Sequence, residues 1–351
     1  MKKKFILTVF IAVCTICGFA QDANKAEQLV EEGIKLHDAG KYDEAIGLYY
    51  EALAADADHP RALYEMSYTC YIAGKYDSAI LIGNKLIGMN VSENILKNVY
   101  VTLGSVYDDV KKPGKAEEIY KDGIKKFPDF YLLYFNLGVT YYFENPSKDK
   151  PALDNFQKAV TLKPLHAGSN YWQYKMLANE NKIPAVLAAC VLCIAEQKTK
   201  RSAECSAFIQ SSLTPNTKSD STTKNFTIYI PSSLLSQAKE NNFSAAELGL
   251  SLLAASPEIM DTLHLDDTQK KLSFQLQGLF NFLSDSKKNK GFYWKFYAPF
   301  FYDLKQKDYT EVLVNIILMN SEKDSEDWIV KNQTKVNDFY SWVKSFEWPK
   351  K

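Results

Sequence analysis

The chain has 351 residues, 46% of them hydrophobic and 24% charged, with 42 lysines and arginines against 42 aspartates and glutamates. A surface balanced in this way carries no basic field for a nucleic-acid backbone, and the apolar fraction excludes a wholly disordered chain. The length suits two or three ordinary domains, or a repeat array.

Lys2, Lys3 and Lys4 precede an apolar run from Phe5 to Cys17, and Gly18-Phe19-Ala20 puts small residues where a signal peptidase reads. Residues 1–20 are therefore expected to be a signal peptide, with Gln21 as the new terminus and the protein exported, periplasmic or secreted. The alternative is an uncleaved anchor, although the run falls short of the roughly 20 residues that a membrane span takes. Cleavage removes three lysines and no acid, and leaves Cys70, Cys190, Cys193 and Cys205.

Ala39-Gly40-Lys41-Tyr42-Asp43-Glu44-Ala45-Ile46 returns as Ala73-Gly74-Lys75-Tyr76-Asp77-Ser78-Ala79-Ile80, with seven of eight residues identical at a spacing of 34. Leu29 and Leu63 keep that spacing, as do Leu103-Gly104-x-x-Tyr107 and Leu137-Gly138-x-x-Tyr141. A fixed period of this size marks stacked helical hairpins. In residues 26–59, Leu29, Gly33 and Leu36 share a face of a first helix, and Ala45, Tyr49 and Ala52 a face of a second. Two antiparallel helices approach closely only where small residues stand at the crossing and bulky ones fill the sides.

This pattern resembles the tetratricopeptide repeat family. Its small-residue and turn positions fall on Gly33, Gly40, Ala45 and Ala52. The second repeat, 60–93, matches through Leu63, Met66, Gly74, Tyr76 and Ala79, with Ser67 where the family has glycine. The third, near 97–130, carries Leu103, Gly104, Tyr107, Ala116, Tyr120 and Pro128. The fourth, near 131–165, carries Leu137, Gly138, Tyr141, Ala152, Ala159 and Pro164, with an insertion near Pro146. A worn fifth is expected over 166–199, with Trp172 and Met176 on its first helix and Ala185 to Ala195 on its second. The resemblance covers about half the chain and implies an all-α solenoid.

An amphipathic helix from Arg201 to Leu213, apolar at Ala203, Phe208 and Leu213, would cap the array. The polar stretch from Ser211 to Thr223 reads as a linker. The expected domains are thus 21–213, a linker at 214–224, and a helical domain at 225–351. Asn225 to Pro231 alternates with period two and is extended. Leu272, Leu276, Leu279, Phe280 and Leu283 form a helix face, and Glu311 to Met319 is an apolar-rich helix. A last helix capped at Asp324 or Ser325 carries Ile329, Val336, Phe339, Val343 and Phe346 on one side. The aromatic run 292–302 reads as core, with a membrane-surface segment as the alternative.

By the resemblance, the first helices line an inner face. Its candidate partner-binding residues are Tyr64, Tyr68, Tyr71, Val101, Asp108, Phe135, Tyr142 and Phe143, with Ser105, Asp109 and Leu132 beside them. Aromatic rings give large contact area at low entropic cost. The competing reading is that C-terminal helices fold back and fill this face. Relatives that grip a C-terminal carboxylate use lysine, asparagine and arginine where this chain has Val30, Ile34, Glu65, Asn98 and Thr102, which supply no positive charge, so that clamp is not expected.

Reaction chemistry is not expected. The histidines, at 37, 59, 166 and 264, form no HExxH motif. Gly249-Leu250-Ser251 lacks the second glycine of a nucleophile elbow, and Ser236-x-x-Lys239 has no accompanying KTG. Cys190-Val-Leu-Cys193 lies in the apolar stretch Ile183–Ala195 and reads as buried, with a structural disulfide or a redox pair as alternatives. The expected partner is another protein, or by a second reading a glycan or small molecule. No nucleic acid, membrane surface, cofactor or metal is called for.

Overall fold

A computed structural model describes residues 24–213, 217–220, 225–228, 240–254, 267–285 and 290–350. The expected signal peptide lies outside the described residues, as do most of the linker, Ser236–Lys239 and His264. The chain forms two compact units, Met1–Lys148 and Asp149–Lys351.

The first unit is a stack of helical hairpins: α1 (24–38) with α2 (Tyr42–Ala55), α3 (Pro60–Ile72) with α4 (Tyr76–Gly88), and α5 (Glu93–Asp109) with α6 (Pro113–Lys126). It ends in α7 (Tyr131–Glu144) and a short turn at Pro146–Lys148. Each hairpin turns through one left-handed residue, Gly40 at φ 75°, Gly74 at 73° and Lys111 at 60°. The next residue then donates back to the ending helix, Lys41 to the Leu36 carbonyl at 2.9 Å, Lys75 to Cys70 at 2.8 Å and Lys112 to Tyr107 at 2.8 Å. That hydrogen bond satisfies a carbonyl the helix end leaves open, and the conformation favours glycine in two of the three turns.

The crossing within each hairpin is set by volume. A Cβ on Gly33 would overlap the ring of Tyr49, and one on Gly104 would overlap the ring of Tyr120. Glycine and tyrosine stand 16 residues apart in both hairpins. In the second hairpin the same two places hold Ser67 and Gly83: Ser67 Oγ donates to the Ala79 carbonyl at 3.1 Å, and Leu103 from α5 fills the space beside Gly83. The departure at Ser67 is thus matched by a glycine on the facing helix. Ala45, Tyr49, Ala52, Leu63, Met66, Ala79, Leu103, Ala116 and Tyr120 are all buried, as the period predicts.

The second unit contains α8 (Asp149–Leu162), α9 (Ala167–Leu177), α10 (Lys182–Ala195) and α11 (Lys200–Leu213). A two-stranded antiparallel ribbon follows, β1 (Thr217–Asp220) on β2 (Asn225–Ile228), so part of the expected linker is the partner of the expected extended segment. Then come α12 (Ser244–Ala254), α13 (Thr268–Phe282), α14 (Phe292–Gln306), α15 (Thr310–Leu318), α16 (Lys323–Lys331) and α17 (Gln333–Ser345). The segment 214–224 falls inside this unit. α9 and α10 pair as the fifth hairpin, and every residue of α10 from Ile183 to Ile194 is buried. A helix apolar all round needs neighbours all round, and the C-terminal helices supply them: α10 meets α14 and α15 as well as α9 and α11. Cys190, Cys193 and Cys205 are free and buried in this core.

Three details differ from the sequence reading. The buried stripe of α11 is Ser202, Cys205, Ser206, Ile209 and Leu213, and Ala203 is exposed. Two small serines let α11 lie close, so the stripe is rotated toward them. The last helix is broken at Asn332, whose side-chain amide donates to the Trp328 carbonyl at 2.9 Å; only Val336, Phe339 and Val343 of the expected face are fully buried. Neither Asp324 nor Ser325 caps α16, because both lie within it and Glu322 precedes it.

The aromatic run is core. Tyr293, Trp294, Phe296, Tyr297, Phe300 and Phe301 are buried on α14, and Trp294 stacks on Phe243 at 4.2 Å. No helix among the described residues is long and apolar enough to cross a membrane. The two buried tyrosines close a polar chain with α9. Tyr293 donates to Gln173 Oε1 at 3.0 Å, Gln173 Nε2 donates to Tyr297 at 3.1 Å, and Tyr297 donates to Asn170 Oδ1 at 2.7 Å. At the fifth hairpin, therefore, C-terminal residues do cover a first helix.

Two substitutions test these assignments in urea melts. Gly104→Ala should cost about 1–3 kcal/mol by overpacking, although alanine is ordinarily the better helix former by about 1 kcal/mol; a more stable variant would refute the tight crossing. Tyr297→Phe should cost about 1–3 kcal/mol, because it leaves the buried Asn170 Oδ1 without its donor and takes one acceptor from Gln173 Nε2. A neutral result would mean that the polar chain contributes nothing.

Candidate functional site

The first helices of successive hairpins approach one another, α3 beside α5 and α5 beside α7, whereas the second helices do not come as close among the described residues. The stack in the first unit therefore curves with α1, α3, α5 and α7 on its inner side. All eight candidate residues lie on these helices. Tyr64, Tyr68, Tyr71, Val101, Asp108, Phe135 and Tyr142 are half-buried, and Phe143 is 70% exposed. Tyr142 and Phe143 meet edge to face at 5.2 Å.

The inner side is laced by polar links from each first helix to the next. Arg61 on α3 pairs with Glu27 and, at 2.6 Å, with Glu31 on α1. The His37 ring stacks on Tyr68 at 5.3 Å, and its Nδ1 lies 2.8 Å from Thr69 Oγ1. Tyr64 on α3 meets the Thr102 hydroxyl on α5, and Tyr71 faces Asp109. Thr140 on α7 donates to Asp108 Oδ2 at 2.8 Å, and Tyr120 donates to the same oxygen at 3.3 Å. Burial pushes the Tyr64 and Tyr71 hydroxyls up to about 12, so both remain protonated donors.

Two of the carboxylates are also perturbed. Burial, the largest cause, pushes the Asp108 carboxyl up to about 6; Asp109 and Glu144 add to the rise, and the hydrogen bonds from Thr140 and Tyr120 oppose it. Burial likewise raises Glu65, with Asp38 and Glu31 adding to the effect and Arg61 opposing it. The tyrosines of the inner side are thus interleaved with acids. Glu31 and Glu65 stand 34 residues apart, so the repeat period itself carried that signal. The cross-helix role of Arg61 and His37 carried none. Of the five places expected to lack a carboxylate clamp, Val30 and Thr102 are buried. Among the described residues no group of three or more histidines, cysteines or carboxylates could hold a metal ion.

This arrangement defines a helical-hairpin repeat protein. The tetratricopeptide repeat model matches residues 36–87. Comparison with curated proteins gives no match. Among solved structures, the chain is similar to TTC0263, a thermophilic tetratricopeptide repeat protein of Thermus thermophilus, at 17% identity and a TM-score of 0.42, over 54% of this chain and 98% of that one. It is similar to MamA 41-end from Desulfovibrio magneticus RS-1 at 19% identity and a TM-score of 0.39, over 49% and 93%. YrrB, described as a tetratricopeptide repeat protein with an unusual peptide-binding site, is 18% identical, with a TM-score of 0.36 over 48% and 84%.

Asp108 supplies a pH test. Its carboxyl holds a proton to higher pH when folded than at its ordinary 3.8, so its contribution to stability is full below about pH 4 and is lost as pH rises through about 6. Asp108→Asn keeps an acceptor for Thr140. It should gain stability relative to wild type between about pH 4 and pH 7 in urea melts. A difference that stays constant with pH would contradict the burial assigned to this group.

Proposed function

We propose that the protein is an exported, non-enzymatic adaptor of the bacterial envelope that binds a protein partner through the inner side of its first hairpins. One observation carries this reading: Tyr64, Tyr68 and Tyr71 present half-buried rings on the inner helix α3, among polar groups of α1 and α5. Half-buried tyrosine is suited to docking, since the ring is already held on one side and loses little freedom when the other is covered. Fold supports the coarse statement, because helical-hairpin arrays present extended surfaces to other proteins. Export rests on the leader from Lys2 to Ala20.

The partner is a protein under this reading, and Val101, Asp108, Phe135, Tyr142 and Phe143 extend the surface from α5 to α7. A photo-crosslinking side chain at position 68, in cells, tests it. Crosslinks to one discrete protein are expected, from a chain whose mature N-terminus is Gln21 by mass spectrometry. Tyr68→Ala should weaken binding of that protein by about tenfold or more. Crosslinks to glycan alone, or a full-length chain that keeps residues 1–20 in the cytoplasm, would overturn the reading.

A further inference from the structure

The charges on the inner side of the hairpin stack are nearly all of one sign. α1 contributes Glu31 and Asp38, α3 contributes Glu65 and Arg61, α5 contributes Asp108 and Asp109, and α7 contributes Glu144. The cations near them are already used: Arg61 is held by Glu27 and Glu31, and Lys148 by Glu117 and Glu144. Asp38, Glu65, Asp108 and Asp109 form no salt bridge among the described residues, and none of the four has a cation to itself. Glu65 and Asp108 are moreover half-buried, so water does not fully solvate them.

A carboxylate kept partly dry beside other carboxylates is unfavourable in the free protein, and a cation brought next to it recovers that cost. Tyr64, Tyr68 and Tyr71 stand at i, i+4 and i+7 on one face of α3, running on from the neighbourhood of Glu65 to Tyr71, which faces Asp109. Tyrosine faces attract ammonium and guanidinium groups, and the methylene stems of lysine and arginine pack on such rings. The surface therefore offers a cation both a counter-charge and an aromatic wall, and it offers a carboxylate neither.

We propose that the occupant of the inner side is a lysine- or arginine-bearing protein segment, whose cations reach Glu65 with Asp38 at one station and Asp108 with Asp109 at the other. This rests on the inner-side reading of the function and adds the chemistry of the partner. Asp108 lies about six residues further along its helix than Glu65 does along its own, a rise of about 9 Å, and neighbouring helix axes are about 8–10 Å apart. The stations are then about 13 Å apart, which an extended segment spans with cations about four residues apart at roughly 3.3 Å per residue.

The full chain can be tested with three fluorescent 12-residue peptides that share tyrosine and alanine at the other positions and carry two lysines, two glutamates or two glutamines four residues apart. The lysine peptide should bind at least tenfold more tightly than the glutamine peptide, with an affinity that falls as salt rises, and the glutamate peptide should not bind. Glu65→Gln with Asp109→Asn should remove about tenfold of the lysine preference, and Asp109→Asn alone, at an exposed position, should remove part of it if the double variant does not fold. Charge reversal by Asp109→Lys should shift preference toward the glutamate peptide. Equal binding of all three peptides, or no binding of any at millimolar concentration, would overturn the cationic assignment. So would a protein crosslinked at position 68 whose binding is lost in Tyr68→Ala yet indifferent to Glu65→Gln and Asp109→Asn; that outcome leaves the inner side as the docking surface. A lysine preference that Tyr68→Ala leaves untouched would instead overturn the location.

Discussion

The close approach of two helices within a hairpin is the constraint on which the rest of the first unit depends. The crossing works by exchange of volume: where the first helix has glycine at 33 or 104, the second has Tyr49 or Tyr120, and where the first has Ser67 the second has Gly83. The tyrosine rings fill the first and third crossings, Leu103 of α5 fills the space beside Gly83 in the second, and packed interiors tolerate neither voids nor surplus atoms cheaply. Because the pairs keep a spacing of 16 residues, equivalent positions of the two helices meet in each hairpin. The first helices can then line up on one side. The inner surface is a consequence of this packing rule.

The second unit solves a different problem. α10 has no polar face at all, so pairing with α9 leaves part of it uncovered. α11, α14 and α15 complete its surroundings, and the aromatic helix α14 brings two tyrosine hydroxyls into the buried interior. Asn170 and Gln173 of α9 receive those hydroxyls, which explains why a first helix of the array carries amides at buried positions. A buried amide left without partners would cost about as much as the burial of a methyl group or two gains. The polar chain and the apolar helix are therefore parts of one solution, in which the last hairpin and the C-terminal helices share a core.

What was legible in the sequence follows from what repeats. The 34-residue period located the hairpins and their turns, and the buried positions at Ala45, Tyr49, Ala79, Ala116 and Tyr120, because each hairpin repeats the same steric demand. The run from Phe292 to Tyr302 was legible as core from its apolar density. The boundary at 214–224 does not coincide with the division into compact units at Lys148 and Asp149, since composition reports a polar stretch and says nothing of which helices cover α10. The break at Asn332 was hidden for a similar reason: the apolar spacing continues through a residue whose side chain closes the preceding turn. At the candidate site the tyrosines were legible by position. The pairing of Arg61 with α1, of His37 with Tyr68 and of Thr140 with Asp108 was not, because contacts between neighbouring repeats depend on the angle at which they stack.

Those cross-helix links also explain how a surface can be acidic and still hold its shape. Each is made by one polar group per hairpin reaching to the next, so the stack gains its register from contacts between neighbours alone, as repeat arrays do. The links use the hydroxyls and the one arginine, and they leave carboxyl groups beside them without an equal number of cations. Asp108 shows the balance most clearly. It is tied to α7 by Thr140 and to its own hairpin by Tyr120, which fixes its position, yet neither partner neutralises it, and burial drives its proton affinity up. Neutral donors can position an acid without satisfying its charge. The proton that Asp108 holds to higher pH and the neutral donors around it are the two ways in which the stack itself limits the cost of burying this acid.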